Sequence, residues 1–179
     1  DSSKILETLD LDPKSYLLVT AHRSENVDNP FYLEKIFRSL ELINDQLKLN
    51  IIFPMHPRTM GKIESKKINK NIKIIKPLGF YDFNFLLKNS ACILSDSGTA
   101  AEEGIFYKVP SVSLRMTTER PETVESGGNI VSGMNSENIF ESVSTALLNH
   151  KETKYSLENE YQPSSVVINA IRSNINNFF

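Results

Sequence analysis

The stretch Cys92-Ile93-Leu94-Ser95-Asp96-Ser97-Gly98-Thr99-Ala100-Ala101-Glu102-Glu103 sets a short apolar run directly against a run of small polar residues. Residues 92–96 have the length and composition of a buried strand, and residues 99–107 then read as a helix. The same unit recurs on either side. Strands are predicted at residues 16–21, 50–55, 72–77, 111–115 and 129–132, each bounded by polar or turn-forming residues. Between them, residues 31–47 place Leu33, Ile36, Phe37, Leu40, Ile43 and Leu47 on one helical face, with Pro30 at the start. Further helices are predicted at 59–67, 82–88, 121–125 and 137–150, and a closing helix from Ser164 onward. Strands that alternate with helices imply parallel strands joined by crossovers: an α/β, doubly wound parallel sheet of Rossmann-like type, with helices on both faces.

The 179 residues, 40% hydrophobic and 23% charged, suit one domain with its own core. A formal net charge of -2 gives no broad basic field, so no nucleic-acid or membrane partner is expected, and any anion site must be local. No apolar stretch reaches bilayer length. The single cysteine, Cys92, lies in an apolar run and reads as a small core residue; one cysteine makes no internal disulfide, which favours a reducing, cytoplasmic setting. The chain opens at Asp1 without methionine, and Ser2-Ser3-Lys4-Ile5-Leu6-Glu7 reads as a helix entry, as expected for a piece of a longer protein; a tag-removal scar is the alternative.

Ligands of a doubly wound sheet sit beyond the carboxyl ends of its strands. After the first strand stands Ala21-His22-Arg23-Ser24-Glu25-Asn26, an imidazole, a guanidinium and a carboxylate in one strand-to-helix loop, suited to phosphate contact or acid–base work. The plainer reading is a solvated loop in which Glu25 pairs Arg23. After the second strand comes His56, followed by Pro57 and Arg58, a second imidazole at the same edge that a backbone hydrogen bond would explain equally well. After the fourth, Ser97, Gly98 and Thr99 open a helix, where free amides, partial positive charge, a side-chain-free approach and two hydroxyls would cradle a pyrophosphate; an ordinary N-cap by Asp96 or Ser97 is the alternative. Glu103, one turn on, could accept from ribose hydroxyls, whereas Glu102 is read as solvent-facing or locally packed. After the fifth, Arg115 and Arg120 flank Met116-Thr117-Thr118-Glu119 before another helix, offering guanidiniums for phosphate or for a salt bridge that orders the loop. The segment 77–83 could wall a flat base or belong to the core. Neither G-x-G-x-x-G nor a P-loop motif occurs, and the histidines lack H-E-x-x-H spacing, so no dinucleotide cofactor and no metal are expected.

Taken together, Val19-Thr20-Ala21-His22-Arg23-Ser24-Glu25-Asn26, His56-Pro57, Ser95-Asp96-Ser97-Gly98-Thr99 with Glu102-Glu103, and Thr117-Thr118-Glu119-Arg120-Pro121-Glu122 resemble the C-terminal half of the non-hydrolysing UDP-N-acetylglucosamine 2-epimerases, from about Lys4 to the end. The resemblance implies one of two Rossmann-like domains in a glycosyltransferase-B arrangement, with UDP and a UDP-N-acetylhexosamine as ligands, no cofactor, and a homodimer of the complete enzyme. It implies that Ser97, Gly98 and the following amides bind the pyrophosphate, that Arg120 neutralises it, that Glu103 holds the ribose, that His22 approaches the phosphates and that His56 lines the cleft. His22 and Arg120 would then serve the chemistry, elimination of UDP to a 2-acetamidoglucal and its re-addition, while Arg23, Glu25 and Thr99 complete the binding set. The acid–base carboxylates would belong to an absent N-terminal domain, so no activity is expected of this chain alone. Ser97-Gly98-Thr99 in place of Ser-Gly-Gly, with Pro77-Leu78-Gly79-Phe80-Tyr81-Asp82-Phe83, looks more like the branch acting on 6-deoxy UDP-N-acetyl-L-sugars. The donor domain of a glycosyltransferase-B transferase and a noncatalytic UDP-sugar-binding module are the competing readings.

Overall fold

The computed structural model describes residues 3–63, 68–151, 153 and 168. Six strands, β1 (Tyr16–Thr20), β2 (Asn50–Pro54), β3 (Ile72–Ile75), β4 (Cys92–Ser95), β5 (Ser111–Ser113) and β6 (Asn129–Val131), form one parallel sheet in the order β3-β2-β1-β4-β5-β6. All six predicted strands are present, and each ladder closes one or two residues before the sequence reading ended it. The residues beyond remain extended: the amides of Met55, Asp96, Leu114 and Ser132 still donate across to Ile75, Thr20, Ser95 and Ser113.

Eight helices are described: α1 (Ile5–Leu9), α2 (Ser24–Val27), α3 (Pro30–Leu47), α4 (Pro57–Met60), α5 (Phe80–Asn89), α6 (Gly98–Phe106), α7 (Pro121–Glu125) and α8 (Ser136–Asn149). The predicted helix at 59–67 is observed as α4 and a turn to Ile63; 64–67 lie outside the described residues, as does the closing helix from Ser164 apart from Ile168. Side chains alternate across the strands and so divide the core in two. Leu17, Val19, Ile51, Phe53, Cys92, Leu94 and Val112 face α3 and α8, whereas Tyr16, Leu18, Ile52 and Ile93 face α5 and α6. Leu33, Ile36, Leu40 and Ile43 bring the apolar stripe of α3 down on the sheet, and Asn29 caps that helix by accepting from the Phe31 amide. Cys92 is buried in the first cluster, and burial pushes its thiol above the usual range, as befits a core residue.

The topology also fixes where a site can form. From β1 the chain runs outward through β2 to β3, then returns to the other side of β1 with β4 and runs outward to β6. The reversal lies between β1 and β4, so the loops after Thr20 and Ser95 flank the crevice that opens at the switch point of such a sheet. Gly104 of α6 lets that helix lie close on the sheet: a Cβ there would stand 3.0 Å from the carbonyl oxygen of Val109.

Candidate nucleotide-phosphate site

Asp96 is the first residue past β4 and is fully buried. Its carboxylate accepts from the His22 amide at 3.1 Å, the Arg23 amide at 2.9 Å and Asn26 Nδ2 at 3.0 Å, while His22 Nδ1 lies 3.1 Å from Oδ1. Asn26, itself buried, also donates to the carbonyl of Leu114 at 3.3 Å, and Arg23 Nε donates to the Asp96 carbonyl at 2.9 Å. One acceptor thus winds the polar cluster after β1 into the single turn of α2, which the sequence reading treated as a loop. The ring of His22 thus lies against the same carboxylate that holds its backbone amide. The His22 side chain is 61% exposed at the sheet edge.

The next residues form the second half of the site. Ser97 stands at the N-cap of α6 in extended conformation, and no side chain caps that helix. Asp96, the expected alternative cap, is committed to the α2 turn, so the first-turn amides of α6 remain open to an anion. Arg120 lies over this end: a Cβ on Gly98 would stand 3.7 Å from Arg120 Cγ, and Arg120 Nε donates to Glu102 at 2.6 Å. Glu102, read from the sequence as solvent-facing or locally packed, is the partly exposed carboxylate that pairs Arg120, which is the salt bridge the plainer reading of this loop expected. Glu103 is half-buried beside it; burial and the neighbouring Glu102 charge raise its carboxyl above the usual range. Thr99 is exposed on the first turn.

The structure therefore brings together His22, Arg23 and Glu25 on one side of the crevice and Ser97, Gly98, Thr99, Glu103 and Arg120 on the other. Arg23 Nη1 stands 3.6 Å from Glu25, as the plainer reading expected, without releasing the bond of Nε to Asp96. His56 opens α4 after β2, exposed, its carbonyl accepting from the amides of Thr59 and Met60. The aromatic segment divides: Phe80 and Tyr81 are exposed, and Phe83 packs on the second core cluster. Asp96 and Asn26 were not singled out as site residues, although an acidic residue after one strand and a run of donors after its neighbour are complementary. Among the described residues, no group of three or more His, Cys, Asp or Glu side chains is placed to hold a metal ion, and no helix is long and apolar enough to cross a membrane.

A parallel, doubly wound sheet with an uncapped helix N-terminus and an oriented guanidinium at its switch point defines a Rossmann-like α/β domain with a candidate phosphate-binding edge. The family model for UDP-N-acetylglucosamine 2-epimerase matches residues 1–171, and the chain belongs to that family. The UDP-N-acetylglucosamine 2-epimerase of Methanocaldococcus jannaschii is 44% identical over 138 residues, covering 74% of this chain and 38% of that protein. The UDP-2,3-diacetamido-2,3-dideoxy-D-glucuronate 2-epimerase of Pseudomonas aeruginosa is 35% identical over 135 residues, covering 74% of this chain and 37% of its own length. Among solved structures, the M. jannaschii UDP-GlcNAc 2-epimerase in complex with UDP-GlcNAc and UDP superposes with a TM-score of 0.77 at 34% identity, covering all of this chain and 49% of that one. The chain thus spans roughly two fifths of the length of the curated relatives it matches.

Proposed function

We propose that this chain is the UDP-binding half of a UDP-N-acetylhexosamine 2-epimerase, and that the diphosphate sits between the α6 N-terminus and Arg120, with His22 at its side. The observation that carries the reading is the position of Arg120, aligned by Glu102 directly over the uncapped first turn at Gly98. Open amides and a guanidinium at one point supply donors in fixed directions, which is what a leaving diphosphate requires as its charge develops. Glu103, with its carboxyl drawn toward the neutral form, is placed one turn along α6 to hold ribose hydroxyls, and Arg23, Glu25, Thr99 and His56 complete the wall.

On this reading the full-length enzyme inverts C2 by eliminating UDP to a 2-acetamidoglucal and adding it back to the other face, with no redox cofactor. This chain's residues act on the diphosphate. Proton removal at C2 falls to carboxylates of an N-terminal domain, so the isolated chain binds UDP without turning a UDP-sugar over. The complete protein is a cytoplasmic homodimer, and its sugar is UDP-N-acetylglucosamine, its C2 epimer or a 6-deoxy UDP-N-acetyl-L-sugar. Calorimetric titration with UDP, with Arg120→Ala and Ser97→Ala in parallel, tests the binding role. Saturable binding weakened in both variants is expected; unchanged affinity in both would overturn the assignment.

A further inference from the structure

We propose that Arg115 is a positioning residue of the nucleotide site, a buried strut that holds Glu119 against the sheet edge and thereby sets where Arg120 starts. The inference rests on the UDP-binding reading above. The Arg115 side chain is only 9% exposed, at the end of β5, and its Nη2 donates to Glu119, which is 62% exposed. Two exposed loops are tied to it. The carboxylates of Glu25 and Asp96 in the first half of the site favour the charge on this guanidinium, and the Arg23 charge favours the ionised form of Glu119. On the other side, the Glu119 carbonyl accepts from Arg120 Nη1 at 3.3 Å, and Thr118 Oγ1 accepts from the Arg120 amide at 3.0 Å.

The backbone of Arg115 is fixed as firmly as its side chain. Its amide donates to the Ser113 carbonyl at 2.9 Å, its carbonyl accepts from the Gly133 amide at 3.0 Å, and Leu114 beside it receives the Asn26 side chain. A rigid base and a paired tip make a lever whose far end is Glu119, one residue from Arg120. Stability does not account for a guanidinium here. Nη1 is buried with no hydrogen-bond partner among the described residues, and an unbranched apolar side chain would fill the same space without desolvating a charge. What a methionine could not do is hold Glu119, which the guanidinium reaches through Nη2 from its rigid, planar head group.

The test uses the full chain with Arg115→Met, Arg115→Lys and Glu119→Gln. UDP affinity is expected to fall at least tenfold in Arg115→Met and by less in Arg115→Lys, but by under twofold when Arg115→Met is added to Arg120→Ala, because the strut acts through Arg120. Equal losses in both backgrounds would overturn the proposal. Backbone amide NMR gives a reading independent of ligand. In Arg115→Met and in Glu119→Gln, the amides of Thr118 and Arg120 shift together with those of Arg23 and Asn26; shifts confined to residues 114–116 would refute the strut. If the unaltered chain binds no UDP at millimolar concentration, the binding reading falls and the amide shifts alone decide the role of Arg115. Should Arg115→Met fail to fold, Glu119→Gln reads the same link from its exposed end.

Discussion

Replacing Asp96 by asparagine preserves shape and removes the organising charge of the crevice. In the native site Oδ1 faces His22 Nδ1, Oδ2 faces the Arg23 amide and Asn26 Nδ2, and the His22 amide is shared between the two oxygens. Whichever oxygen becomes an amide nitrogen, it meets at least one backbone amide, and every remaining donor loses a charged acceptor. Hydrogen bonds to a charged acceptor are worth about 1.5–3 kcal/mol each, so two together come to roughly 3–6 kcal/mol. The exposed His22 ring recovers part of its share from water, which leaves a loss of about 2–5 kcal/mol. For a domain of this size that lowers Tm by about 4–20 °C. Urea and thermal unfolding of the wild type and Asp96→Asn chains measure it, and amide hydrogen exchange locates it, with protection lost first at Asn26 and Val27. A fall of less than about 1 kcal/mol would refute the claim that this carboxylate builds the α2 turn.

Three further outcomes follow from the same geometry. Gly98→Ala places a methyl in ordinary contact, 3.7 Å from Arg120 Cγ, at a helix start; Tm is expected to hold or rise slightly while calorimetry shows weaker UDP binding, the pattern of a glycine kept open for ligand approach. Gly104→Ala forces a methyl to 3.0 Å from the Val109 carbonyl and 3.4 Å from Ser111 Cβ, between α6 and the sheet, and is expected to cost about 1–3 kcal/mol in urea unfolding. Glu103 keeps its proton to higher pH in the folded chain than in the unfolded one, so its ionisation disfavours folding as pH rises above the ordinary glutamate range. Glu103→Gln should therefore raise Tm at neutral pH, with the gain shrinking toward zero as the pH falls below that range; a gain independent of pH would show that charge is not its cause.

The sequence by itself determined the six strands, their alternation with helices and the edge at which the polar motifs emerge. Those features are local: a run such as Tyr16–Thr20 or Cys92–Ser95 is recognisable from composition alone, and a strand's last residue marks the sheet edge wherever the strand is placed. The stripe of α3 was legible for the same reason, and the single turn of α2 was not, because nothing between Ser24 and Val27 favours a helix until Asp96 supplies the acceptor. Only the tertiary structure decided who pairs with whom. Asp96 reaches His22 across 74 residues, and Arg120 reaches Glu102 across 18, because the strand order reverses between β1 and β4 and lays α6 beside the loop after β5. Hydrogen bonds and ion pairs depend on separations of a few ångströms, and the order of strands in the sheet sets those separations. The tertiary structure also covered the side chain of Arg115, which the sequence left as one of two equivalent arginines, and set Arg120 over the open end of α6.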